Sequence, residues 1–160
     1  MTANQALARR IALVLPLLLL AGAWASQLIG GLVPCEMCHW QRWPHYAAVL
    51  VAALAYAVPG RSSRVLTVAI AALLIAVSGA IGVFHAGVEY HWWQGITACS
   101  TRVAGEGIST DEMLRRILAA PVIRCDAAQW TLFGISLAGF NAILSLGGAG
   151  LIGWLLGRRR

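Results

Sequence analysis

Apolar positions gather into four long runs, at about 11–33, 40–58, 65–85 and 130–156. Each approaches the roughly 20 apolar residues that a helix needs to cross a bilayer core. The second run is the shortest. Its strictly apolar part starts at Trp43, and the pattern predicts a helix that begins earlier, near 38–41, with its first turn among lipid headgroups. The expectation is an all-α membrane protein with a single domain over residues 1–160. Four transmembrane helices form a bundle, and the polar stretches at about 34–42 and 86–129 form its two larger loops.

The long loop carries a helix signal of its own. Ser109 can cap, and Glu112 three residues on can reach back to complete a capping box. Met113, Leu114, Ile117 and Leu118 then share one face, Arg115 and Arg116 occupy another, and Pro121 closes the pattern. So short an amphipathic helix between two spans is expected to lie in the membrane interface, against lipid. Packing on the top of the bundle is the alternative.

Composition agrees with a lipid environment. Of 160 residues, 59% are hydrophobic and 11% charged, against about 25% charged in a typical soluble domain. The net charge of +6 comes from arginine alone, with no lysine. The arginines sit in short clusters between apolar runs and form no basic face or arm, which argues against nucleic acid as a partner. Arg9 and Arg10, Arg61 and Arg64, and Arg158 to Arg160 mark three segments as cytoplasmic. Both termini then lie inside, and the loops at 34–42 and 86–129 face outward. Arg9-Arg10, the run at 11–20 and Ala23-Trp24-Ala25 also fit a secretory signal peptide. The apolar stretch continues past that cut, however, and cleavage would take one helix from the bundle. All six acids, all four cysteines and all four histidines fall in the outward loops or at their edges. The chemistry is expected on one face.

Cysteine spacing suggests what that chemistry is. Cys35 and Cys38 form a C-x-x-C in the short loop, and Cys99 and Cys125 lie in the long one. Structural staples are the plain alternative in an oxidising compartment. A C-x-x-C ring, however, restrains an already short loop very little, whereas it recurs where a thiolate is stabilised and its potential tuned. With a helix beginning near Cys38, the macrodipole favours an anion there. Arg42, four residues on, shares its face. Dipole and guanidinium together are expected to lower the Cys38 pKa; the competing role for Arg42 is snorkelling to headgroups. Cys35-Glu36-Met37-Cys38-His39 also matches c-type haem attachment, but the short loop cannot wrap a haem, and Cys99 and Cys125 would have no role. A zinc site using Cys35, Cys38 and His39 is no better supported. No cysteine falls within a span, so electrons must leave from the outer face, and a lipid-soluble acceptor such as a quinone is the natural sink.

His85, at the outer end of the third run, is a candidate donor to a quinone carbonyl, a solvated histidine being the alternative. Trp40, Trp43, Trp92, Trp93 and Trp130 read first as an interfacial aromatic belt. Asn141 and the glycines from Gly147 to Gly153 read as helix-packing positions.

These pieces together resemble the DsbB family. The matching residues are Pro34-Cys35-x-x-Cys38 with Gln41-Arg42, then Gly82, His85, Gly87 and Glu89 leading to Cys99, then Cys125-Asp126 with Trp130. The resemblance implies a bacterial inner-membrane enzyme that reoxidises a periplasmic DsbA-like protein and passes the electrons to ubiquinone or menaquinone. It implies that Cys99 and Cys125 form the disulfide attacked by the partner, with Cys99 taking the mixed disulfide. Cys125 then exchanges with Cys35, and Cys38 engages the quinone as a charge-transfer complex or adduct. Arg42 and His85 would bind the quinone, and no metal is implied. Two competitors remain. A vitamin K epoxide reductase-like enzyme would carry its C-x-x-C late in the chain, and a structural membrane protein would use its disulfides only as staples.

Overall fold

The computed structural model describes residues 2–97, 109–111, 114–115 and 123–158. Four long helices run through these residues: α1 (Ala3–Leu28), α2 (Glu36–Ala57), α3 (Arg61–Glu89) and α4 (Leu137–Gly157). A two-stranded antiparallel ribbon precedes α4, with β1 (Thr131–Leu132) and β2 (Ile135–Ser136) pairing Thr131 with Ser136 and Leu132 with Ile135. The helix expected at 109–118 falls largely outside the described residues, as does Cys99.

The helix ends follow local chemistry more closely than hydropathy. α1 begins eight residues before its apolar run because Thr2 and Gln5 form a reciprocal capping box, at 3.3 and 3.2 Å. It stops short of Gly31, whose φ of +66° suits glycine. Near residue 130 the chain stays apolar but does not turn helical at once. Phe133 and Gly134 both take positive φ and close the ribbon, a geometry suited to a two-residue hairpin turn. The Tyr90 hydroxyl at the end of α3 donates to the Gly134 carbonyl and accepts from the Ser136 amide, each at 2.9 Å. Ser136 then caps α4 through Gly139 N at 3.1 Å.

The helices form a ring in which α3 packs on α2 and α4, and α1 closes against the same two. Alanine dominates the core: Ala8 and Ala12 of α1, Ala48, Ala52 and Ala55 of α2, and Ala71 and Ala72 of α3, with Val68, Ile75, Ile152 and Leu155. Large side chains such as Leu18, Leu50, Leu66 and Leu73 point outward. With small residues inside and leucine outside, helix backbones approach closely and lipid meets the apolar exterior. Helices α1, α3 and α4 are long and apolar enough to cross a membrane. The 22-residue α2 carries Gln41, Arg42, Pro44 and His45 in its first half. At one end of the ring Arg61 donates to Gln5 at 3.1 Å and Arg9 stacks on Tyr56 at 4.0 Å. The cysteines are at the other end.

Helix α3 approaches α4 closely. A Cβ on Gly82 would lie 3.0 Å from both the Ala138 carbonyl oxygen and the Ala142 nitrogen, and one on Gly79 would meet Leu146 and Ser145. Of the glycines expected to pack on α4, Gly148 meets Leu15, whereas Gly147, Gly150 and Gly153 have no protein atom near the Cβ position. Gly82→Leu should therefore force α3 and α4 apart and cost about 1–3 kcal/mol. Thermal unfolding in detergent should register that loss, with Gly147→Leu as the unaffected control. Equal midpoints for the two variants would contradict this packing.

Candidate functional site

α2 begins at the C-x-x-C because Cys35 is its N-cap. The Cys35 sulfur accepts from Cys38 N at 3.3 Å, and Glu36 in the first turn complements the positive helix end. That cap folds the loop so that the two sulfurs lie 3.1 Å apart as free thiols sharing a hydrogen bond. The shared proton resides on Cys35. Its thiol is pushed up, first by that bond and then by burial. Cys38 is lowered, chiefly because Cys35 donates to it; burial opposes the shift, and Arg42 adds a smaller favourable charge. The expected low pKa is present, but the neighbouring thiol is its main cause and the guanidinium a minor one.

Arg42 is only 7% exposed and is held by α1. Its Nη1 donates to Gln27 Oε1 at 2.8 Å, its Nη2 to the Ala23 carbonyl at 3.1 Å, and it stacks 5.3 Å from the centre of the Trp24 ring. A buried guanidinium satisfied by α1 replaces the snorkelling alternative.

The imidazole beside the sulfurs is that of His85, buried near the end of α3, whose Nε2 lies 3.5 Å from Cys35 Sγ. Its orientation follows from its neighbours. Gln41 Nε2 donates to the Met37 carbonyl at 3.3 Å and contacts His85 Nδ1 at 2.8 Å. A main-chain carbonyl only accepts, so the nitrogen end of the Gln41 amide is fixed, and His85 Nδ1 must accept. The ring hydrogen is then on Nε2, facing Cys35 and the Glu89 carboxylate, which lies 3.7 Å away. His39, which completed the haem-like pattern, is exposed on α2 and takes no part in this cluster. The donor atoms of Cys35, Cys38 and His85 lie within 4.8 Å of one another and could hold a thiophilic ion, but only by using the atoms of the dithiol itself.

Cys125 is 1% exposed and shares a buried cluster with Cys35, Met37 and Val88. A two-way amide bond brings it there: Gln129 accepts from Val33 N at 3.0 Å and donates to Val33 O at 2.6 Å, two residues before Cys35. Beside Cys125, Arg124 grips Asp126 at 2.8 and 2.7 Å and holds its carboxyl below the usual range.

A cavity of about 290 Å³ opens at the head of α2. Cys35, Cys38, Arg42 and His85 all line it, joined by His45, Glu89, Trp130 and Asn141, with leucines of α1 and α4 supplying apolar wall. Four of the six expected site residues thus meet around one space. Cys125 adjoins it, and Cys99 lies outside the described residues. Of the tryptophans expected at this level, Trp130 lines the cavity, while Trp93 stacks on Phe84 and donates to its carbonyl at 2.8 Å.

Sequence reading missed three participants. His45 does not lie at a loop edge; it is nine residues inside α2 and 3% exposed. Asn141 does more than pack, since it donates to Gln41 Oε1 at 2.8 Å and to the Ser78 carbonyl at 3.2 Å. Gln129 carried no signal at all. For the first two, a signal was present: polar side chains within apolar spans are costly and mark function.

Comparison with known proteins agrees with this chemistry. The chain is 20% identical over 137 residues to the uncharacterised protein RP370 of Rickettsia prowazekii (strain Madrid E), covering 85% of this chain and 78% of that one. No solved structure matches it. Residues 5–155 match the family described as Disulfide bond formation protein DsbB, so the chain belongs to the DsbB family.

Proposed function

We propose that this membrane protein oxidises a periplasmic DsbA-like dithiol and delivers the electrons to a membrane quinone. In this reading all four helices cross the bilayer, both termini are cytoplasmic, and the cysteine loops are periplasmic. The observation that carries the proposal is that one sulfur pair adjoins both Cys125 and the cavity. Cys35 shares a buried cluster with Cys125, and together with Cys38 it borders the cavity.

The residues divide the work by their proton affinities. Thiolate attack on a disulfide goes faster when the departing sulfur has a low pKa. In an oxidised Cys35–Cys38 pair, attack by Cys125 on Cys35 expels Cys38, whose departing charge is met by the first turn of α2 and by the Arg42 guanidinium. The Cys38 thiolate is then left beside Arg42, at the cavity wall. His85, with its hydrogen on Nε2, holds Cys35 by donating to it. Arg42, Cys38, His45 and His85 would surround a bound quinone, and the leucine wall suits its apolar body. A quinone there supplies the acceptor: dithiol and quinone become disulfide and quinol, two electrons and two protons passing between them. Cys99, by the family resemblance, receives the partner.

Two outcomes test the reading. Purified protein given a reduced DsbA-like dithiol should reduce a soluble quinone, and Cys38→Ser should abolish turnover. Arg42→Gln should raise the quinone KM by roughly tenfold or more, the worth of one charged hydrogen bond. Unchanged turnover in Cys38→Ser would overturn the enzymatic role and leave the cysteines as staples. The second test uses pH. In a reduced Cys99→Ala, Cys125→Ala background, Cys38 should still be alkylated by iodoacetamide below the ordinary thiol range, because its thiolate persists there. Removing the Cys35 donor with Cys35→Ala should move the alkylation midpoint upward. A midpoint that stays in place would contradict the shared-proton account.

A further inference from the structure

His45 lines the same cavity, but the scheme above gives it no chemical step. Its tautomer can be read from its partners. Because the nitrogen end of the Gln41 amide is fixed, Gln41 Oε1 is the acceptor for Asn141 Nδ2. Asn141 Nδ2 also reaches the Ser78 carbonyl, which again can only accept. Asn141 Oδ1 is therefore an acceptor. It receives Ser145 Oγ at 3.1 Å and His45 Nε2 at 3.0 Å. The hydrogen of neutral His45 is thus on Nε2, and Nδ1 carries a lone pair. That Nδ1 is buried without a hydrogen-bond partner among the described residues, in a residue that is 3% exposed. An unmet acceptor of this kind carries a free-energy penalty that a ligand hydroxyl would remove.

Building on the quinone reading, we propose that His45 Nδ1 accepts the hydroxyl hydrogen of the reduced ring, so that the cavity holds quinol more tightly than quinone. A quinone oxygen offers only lone pairs and meets the Nδ1 lone pair unfavourably; a quinol oxygen brings the hydrogen that Nδ1 lacks. Reduction of the ring by two electrons and two protons, matched by oxidation of Cys35 and Cys38 to the disulfide, creates that donor. Preferential binding of the product raises the potential of the bound couple, by about 30 mV for each tenfold preference. His45 thereby makes the bound acceptor a stronger oxidant of the dithiol while touching neither sulfur.

The test measures affinity. In a Cys38→Ser background, which prevents turnover, tryptophan quenching gives the Kd of a short-tailed benzoquinone and of its quinol. The quinol is expected to bind roughly tenfold tighter, the factor one net hydrogen bond supplies. His45→Phe should erase the preference by weakening quinol, with no weakening of quinone. A preference that survives in His45→Phe, or an equal loss for both forms, overturns the proposal. Failure of the parent protein to bind either form overturns the quinone reading itself, and this one with it. Nitrogen-15 NMR of histidine-labelled protein requires no substitution at His45: the Nε2–H tautomer is expected there, and the Nδ1–H tautomer would refute the assignment.

Discussion

A primary amide buried among apolar helices must find partners within the protein, because lipid offers none. Gln41 and Asn141 meet that constraint with one bond of 2.8 Å, and much of the molecule is arranged around it. The bond joins α2 to α4. Ser78 brings in α3 by donating to the Gln41 carbonyl at 2.8 Å while its own carbonyl receives Asn141. Gly79 and Gly82 allow the close approach of α3 and α4 that these distances require. Because every bond in the chain has a fixed direction, the packing also sets the tautomers of two histidines.

Those tautomers shape the redox site from both ends. At the cysteine end, His85 presents an N–H to the sulfur that keeps the shared proton, and the charge falls to Cys38. At the other end, His45 bonds Asn141 through Nε2 and leaves Nδ1 without a hydrogen-bond partner among the described residues. The dithiol is thus asymmetric before any partner arrives: Cys35 is buried beside Cys125, and Cys38 is half-buried above the cavity. Arg42 reinforces this from a position fixed by α1, so each helix contributes to one small volume at the head of the bundle.

Much of this was legible in the sequence, and what was not had physical reasons. The four apolar runs correspond to the four helices, of which α1, α3 and α4 are long and apolar enough to cross a membrane. An early start of α2, near 38–41, could be anticipated because its strictly apolar run is short; the Cys35 cap moves it further, to Glu36. The ribbon at 131–136 could not, since Trp130, Leu132 and Phe133 read as the start of a span; a glycine after an aromatic residue gave the turn, and Phe133 is left 93% exposed. Cys125 comes beside Cys35 through Gln129, a residue 96 positions from its partner Val33 and ordinary in any loop. His45 was overlooked because it stands close in sequence to the outward loop, although the helix carries it nine residues inward.

The central claim is that Gln41 and Asn141 act as one coupled unit through their shared bond. The most direct measurement is a double-mutant cycle on thermal unfolding in detergent, with Gln41→Leu, Asn141→Leu and the pair. Each single substitution should deprive the other amide of this bond among apolar helices, so the double variant should be about as stable as the weaker single one. Losses that simply add would mean the two side chains are independent, and would contradict the account.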